Sequence, residues 1–179
     1  MSLKIIHTAD WHLGQTFFGY DRDEEHEAFL SWLIDILTLR QTDVLLIAGD
    51  VFDVANPSAA APRRFFRFLR EANRHNPQLQ IVIIAGNHDS AARLEAPIPL
   101  LEELNTSIVG VVPRTDLCKI DFDSLLIPLY NKEGKREAIC LAVPYLRQGD
   151  YPASKEGKDT YVEGVTRMYR QLYDYADSP

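Results

Sequence analysis

The stretch Val44-Leu45-Leu46-Ile47-Ala48-Gly49-Asp50-Val51-Phe52-Asp53 decides how this chain is read: an aliphatic run followed at once by a polar cluster. The same pattern occurs twice more. Residues 3–9 lead into Asp10-Trp11-His12, and residues 80–85 lead into Gly86-Asn87-His88-Asp89. All three runs are rich in Ile, Val and Leu, as expected for strands of a parallel sheet buried on both faces. Ligands of open α/β sheets bind beyond the carboxyl ends of the strands, which is where all three clusters fall.

Working outward from these runs, two of the intervening segments read as helices. Over 24–39, Phe29, Leu33, Ile36 and Leu37 recur at helical spacing. A second helix is expected over 58–73, with Ser58 as N-cap and His75-Asn76-Pro77 closing it. A third, Pro-interrupted helix is expected around 94–104. Three successive βα units imply right-handed crossovers and a mainly parallel sheet with flanking helices. From residue 107 the texture changes to short runs at 107–112, 117–122, 124–130 and 137–143, separated by turn residues such as Asn131-Lys132-Glu133-Gly134. These predict antiparallel strands. A polar loop over 147–159 precedes a last helix over 160–176, whose stripe is Val162, Val165, Met168, Tyr169, Leu172 and Tyr175/Ala176.

Composition limits what the clusters can mean. With 179 residues, 46% of them hydrophobic, the chain can bury one substantial core in one α/β domain. No apolar run approaches the roughly 20 residues of a membrane span, and Met1-Ser2-Leu3-Lys4 leads straight into a strand, so a cytoplasmic protein without membrane contact is expected. Cys118 and Cys140 have no zinc-type spacing and are expected to be reduced, partly buried thiols. A net charge of −7 argues against general electrostatic attraction to nucleic acid, but bound divalent cations would reverse the sign locally.

Asp, Asn and His offer oxygen and imidazole donors without thiolate, which suits Mn2+, Mg2+ or Fe2+, manganese being the first choice. Asp10 and His12 are two apart, so in an extended segment they share a side and can reach one ion. Asp50 can bridge that ion to a second, and Asn87 can hold the second through its amide oxygen. His88 would then diverge toward substrate as general acid, with Asp89 accepting its ring proton and Asp53 orienting a ligand from behind. Each cluster alone also fits a plainer description. Asp50 and Asp53 could be a turn and a helix N-cap, Asn87-His88-Asp89 a polar turn, and Asp10-Trp11-His12 a strand end with one exposed aromatic. Their coincidence at the same end of three strands favours a metal site.

The motifs Asp-x-His, Gly-Asp-x-x-Asp and Gly-Asn-His-Asp, in this order, resemble the first three signatures of the calcineurin-like metallophosphoesterase superfamily. The longer strings His7-Thr8-Ala9-Asp10-Trp11-His12-Leu13-Gly14, Ala48-Gly49-Asp50-Val51-Phe52-Asp53 and Ala85-Gly86-Asn87-His88-Asp89-Ser90 are similar to its DNA double-strand-break repair nucleases of the SbcCD type. That resemblance implies one manganese on Asp10, His12 and Asp50, a second on Asp50 and Asn87, and His88 as the proton donor to the leaving group. It implies Mn2+-dependent exonuclease and endonuclease cleavage of DNA, and an SbcC-type coiled-coil ATPase partner. A homodimer within a heterotetramer is implied as well. Two later signatures of the pattern, Gly-His and Gly-His-x-His, are not found, the other histidines being His7, His26 and His75. The chain is therefore expected to be the N-terminal part of a metallophosphoesterase domain, an incomplete four-layer sandwich without capping domain, with little nuclease activity alone. Other readings are a phosphatase or phosphodiesterase of the same superfamily, or a non-catalytic interaction fragment.

Two further features invite comment. Arg63, Arg67, Arg70 and Arg74 follow offsets 0, 4, 7 and 11 on one helix face. They fit a DNA-phosphate track, or more simply a solvated face offsetting nearby acids. The aromatic loop Phe17-Phe18-Gly19-Tyr20 fits a cap on the core or, less directly, a contact across a two-fold axis. His26 and His75 are expected at the surface.

Overall fold

The computed structural model describes residues 2–101, 104–153 and 160–177. Its centre is a sheet of four strands in the order β1 (Ile5–Thr8), β4 (Val44–Ala48), β5 (Gln80–Ile84) and β6 (Thr106–Val109), each pair parallel. Two helices, α1 (Asp23–Leu39) and α2 (Ala60–His75), form the connections between the first three strands. Asp23, Glu24 and Glu25 in the first turn of α1 complement its dipole, as do Arg74 and His75 at the end of α2.

Side chains alternate across the pleat and fill two cores. Leu45, Ile47, Ile81, Ile83 and Ile108 face α1 and α2. Val44, Val82 and Val109 face the opposite side. That second core is closed by an antiparallel hairpin, β7 (Leu126–Tyr130) and β8 (Arg136–Leu141), and by α5 (Tyr161–Ala176). The hairpin turns where expected: the Asn131 side chain accepts from the N–H of Glu133 (2.9 Å) and of Lys135 (3.0 Å), and Gly134 takes φ 74°. A reciprocal capping box between Thr160 and Glu163 starts α5. The α/β class, with a parallel sheet followed by short antiparallel strands, agrees with the sequence reading.

Several details do not. The run at 107–112 is not antiparallel: β6 pairs parallel to β5, because the chain crosses over through α3 (Ala91–Glu95) and α4 (Ile98–Leu101) and returns in the same direction. Residues 117–122 form no strand. A turn closed by Cys118 N–H to Thr115 O (2.8 Å) occupies them, leaving a single bridge between Arg114 and Ile120. Ser58 is not the cap of α2; Ala59 already has helical dihedrals (φ −60°, ψ −16°), so the Ser58 hydroxyl stands a residue too early. Pro97 divides the third helix into α3 and α4, and residues 102–103 of its expected span lie outside the described residues, as do 154–159 of the polar loop.

Cys118 is exposed and only Cys140 is half-buried, its thiol pKa pushed up by burial. His26 is buried, 6% exposed, because it continues the inward stripe His26, Leu30, Leu33, Leu37 of α1. The aromatic loop does not cap the core. It is a small hairpin, β2 (Thr16–Phe17) with β3 (Tyr20–Asp21), and Phe18 is 88% exposed at its tip.

Candidate metal centre

β1, β4 and β5 end side by side, and the chain leaves the first two through left-handed residues: Asp10 (φ 57°), His12 (47°), Gly49 (89°) and Asp50 (49°). A non-glycine residue there costs about 1–3 kcal/mol, although Asp and His tolerate it better than most. Such strain persists only where surrounding contacts hold it. Here the two loops bond backbone to backbone, Asp10 N–H to Gly49 O (3.1 Å), His12 N–H to Asp50 O (3.0 Å) and Leu13 N–H to Val51 O (2.9 Å). Between the two ligand candidates, Trp11 turns inward. It is 5% exposed, donates to Thr8 Oγ1 (2.9 Å) and meets Phe29, Phe65 and Phe68 edge to face.

The third loop is clamped to the second. Gly86 has no room for a side chain, since a Cβ would collide with Asp50 Oδ1 and N and lie 2.7 Å from Asp50 Cγ. Asp50 Oδ1 in turn accepts the His88 N–H (3.0 Å). Asp89 is 2% exposed, and its carboxylate accepts three backbone N–H groups, those of Val51 (3.2 Å), Phe52 (2.9 Å) and Gly86 (2.9 Å). This corrects the expectation that Asp89 accepts the His88 ring proton: its oxygens are committed to the loop backbone.

The result is a convergence of donors. The ligand atoms of Asp10, His12 and Asp50 lie within 4.8 Å of one another, His12 Nε2 being 4.0 Å from Asp10 Oδ1 and 3.9 Å from Asp50 Oδ2. Two ligands bound at about 2.0–2.2 Å to one ion can stand about 4 Å apart, as His12 Nε2 does from each carboxylate, and two carboxylates with an imidazole suit a hard or borderline divalent cation. Asp10 and His12 meet although the segment is not extended; the left-handed turns bring them together. Asn87 is exposed beside them, on a cavity of about 360 Å³ that Asp10 and Asp50 also line.

Asp53 touches both histidines. Its carboxylate accepts from His12 Nδ1 (3.1 Å) and Gln15 Nε2 (3.2 Å), and its backbone carbonyl accepts from His88 Nδ1 (2.6 Å). Gln15 Oε1 accepts from the Arg22 guanidinium (2.9 Å). The carbonyl of Asp53 raises the pKa of the exposed His88 ring above its ordinary value, with the nearby carboxylates of Asp50, Asp53 and Asp89 adding to it. The two imidazoles meet edge to face, 5.0 Å between centroids.

The arginine face lies elsewhere. Arg67 pairs with Glu27 of α1, and Arg70 and Arg74 pair with Glu71, while Arg63 is exposed. Sequence reasoning overlooked Arg64, which is 7% exposed and bridges Asp23 (2.7 Å) and Glu27 (2.9 Å). It also overlooked Tyr145, Tyr161 and Tyr169, which line the same cavity as Asp10 and Asp50. Tyr145 is brought there by its N–H bonding Ala85 O (2.8 Å), a pairing with no local sequence signal.

The calcineurin-like phosphoesterase family model matches residues 3–170. Among curated proteins, the chain is similar to the SbcD component of nuclease SbcCD from Rhodobacter capsulatus, 47% identical over 171 residues that are 95% of this chain and 42% of the relative. It is 33% identical to the protein of the same name from Escherichia coli, over 96% of this chain and 41% of the relative. The Bacillus subtilis protein of that name is 39% identical over 68% of this chain and 31% of the relative. The chain thus spans about two fifths of the length of the first two relatives.

Proposed function

This chain belongs to the calcineurin-like phosphoesterase family, and from that premise we propose that it carries the metal-binding part of a DNA nuclease of the kind its relatives are named for. The observation that carries the reading is the convergence of Asp10, His12 and Asp50, with Asn87 on the same cavity. Asp10, His12 and Asp50 would hold one ion, and Asp50 with Asn87 would contribute to a second. Mn2+ suits these donors best, with Mg2+ as a substitute. Divalent cations there would neutralise a phosphodiester and lower the pKa of an attacking water.

The remaining steps belong to side chains of the chain. Water gives up a proton to solvent as it attacks phosphorus, the bond to the leaving oxygen breaks, and His88 supplies that oxygen with a proton from Nε2, to be reprotonated from solvent. Its Nδ1–H, held by the Asp53 carbonyl, fixes the ring and favours the doubly protonated form that donation requires. Asp53 keeps His12 turned with Nε2 toward Asp10 and Asp50. Asp89 works through the backbone, keeping the second and third loops in register.

In the working assembly the chain would act on DNA with an SbcC-type coiled-coil ATPase, as a homodimer within a heterotetramer in the cytoplasm. No described helix is long and apolar enough to cross a membrane. The chain spans about two fifths of the length of the first two relatives, and Asp50 and Asn87 are the donors it would offer the second ion. Titration calorimetry with Mn2+ should show one site lost in Asp10→Asn and His12→Gln variants, and the isolated chain should cleave DNA slowly or not at all. Robust manganese-dependent cleavage by the isolated chain, or Mn2+ uptake indifferent to both substitutions, would overturn the assignment.

A further inference from the structure

We propose that Gln15 and Arg22 are positioning residues for the metal ligand His12, acting through Asp53. The inference rests on the metal-centre reading of Asp10, His12 and Asp50. Four side chains are joined in one hydrogen-bonded line: Arg22 to Gln15 Oε1 (2.9 Å), Gln15 Nε2 to Asp53 Oδ1 (3.2 Å), and His12 Nδ1 to the same oxygen (3.1 Å).

With the His12 ring neutral, as ion binding requires, the chemistry of these groups leaves one arrangement of protons along the line. A guanidinium only donates, so the amide oxygen of Gln15 faces Arg22 and its NH2 faces Asp53. An ionised carboxylate only accepts, so both groups at Asp53 Oδ1 are donors and the ring proton of His12 sits on Nδ1. The lone pair is then on Nε2, the nitrogen facing Asp10 Oδ1 and Asp50 Oδ2 at 4.0 and 3.9 Å. Asp53 thus selects the tautomer that can bind an ion, and Gln15 and Arg22 act on the ring only by holding Asp53 against it.

The backbone seats this line firmly. Gln15 N–H bonds His12 O (3.0 Å), and Arg22 N–H bonds Gln15 O (3.3 Å). Gln15 and Arg22 therefore close the base of the β2–β3 hairpin and tie that base to the ligand loop. Asp53 Oδ1 has no other hydrogen-bond donor besides His12 and Gln15 among the described residues. Without Gln15, the Asp53 carboxylate keeps His12 as its one partner among the described residues and is free to rotate away from it. Outer partners of a ligating histidine typically alter metal affinity about 10–100-fold.

The test combines two readouts on the purified chain: Mn2+ affinity by calorimetry, and the ring 15N shifts of His12 in the metal-free protein, assigned with a His12→Gln variant. Gln15→Met keeps the side-chain length and removes both polar contacts. It should weaken Mn2+ binding about tenfold and convert the single Nδ1–H tautomer of His12 into a mixture, with the unfolding midpoint little changed. Arg22→Met should give a smaller loss in the same direction, and Arg22→Lys, which restores a donor, should recover the wild-type values. A Gln15→Met protein with a wild-type His12 tautomer and wild-type Mn2+ affinity overturns the inference. If the wild-type chain takes up no Mn2+, the metal-centre reading fails. The tautomer measurement then still decides whether Gln15 sets the His12 ring.

Discussion

Two polar regions of this molecule are built on opposite plans. At the ends of β1, β4 and β5 the carboxylates are fixed by backbone: Asp89 takes three N–H groups, Asp50 takes one, and Gly86 leaves no space beside it. Along α2, charges meet through long side chains: Arg64 with Asp23 and Glu27 and Arg67 with Glu27 reach across to α1, and Arg70 and Arg74 pair with Glu71 within α2. Backbone-fixed groups cannot relax when one is changed, whereas exposed long side chains exchange partners with each other and with water. The first plan suits a place where donor atoms must converge, and the second suits a face that need only stay wetted and docked.

Substitutions that separate the plans should differ in size. The largest effect is expected from Gly86→Ala, whose added methyl strikes Asp50 with nothing flexible to give way. A loss of about 3 kcal/mol in urea unfolding is expected, together with abolished Mn2+ binding. A variant of wild-type stability would show that the clamp between the loops is looser than its geometry implies. Arg64→Leu comes next, at about 1–3 kcal/mol, since it removes the buried guanidinium that joins the two helices. It should also change the acid response. The hydrogen bond from Arg64 holds the Asp23 carboxyl below its ordinary 3.8. Glu27 is pushed up by burial but pulled further down, below 4.5, by Arg64 and Arg67. Carboxyls lowered in the folded state add stability above their unfolded values and lose it as pH falls through them. The wild-type protein should therefore lose stability more steeply than Arg64→Leu below about pH 4.5, which parallel acid titrations would check. Smallest is Arg70→Ala, a solvated partner of Glu71, at about 0.5 kcal/mol or less. A larger loss would mean that the exposed face carries weight the comparison denies it.

The sheet was legible because burial on both faces writes itself as uninterrupted Val, Ile and Leu at 44–47 and 81–84. What four or five apolar residues do not encode is the direction of their partner, and so β6 reads equally well as parallel or antiparallel. Only the crossover through α3 and α4 decides it. The residue types of the site were equally plain, since few other needs put Asp, His and Asn after three strands. Their division of labour was not. That Asp89 holds backbone while the Asp53 carbonyl holds His88 follows from how two loops approach each other, 35 or more residues apart in sequence. His26 shows the converse failure: its offset on the Leu30, Leu33, Leu37 stripe was readable, and its polarity obscured it.

The inward turn of Trp11 has an optical consequence. The chain has two tryptophans, and Trp32 is 56% exposed while Trp11 is 5% exposed and flanked on both sides by residues of the candidate ion site. Acrylamide would silence the emission of Trp32 first. The light that survives comes from an indole covalently joined to Asp10 and His12, so the protein carries its own fluorophore for watching that segment settle around an ion.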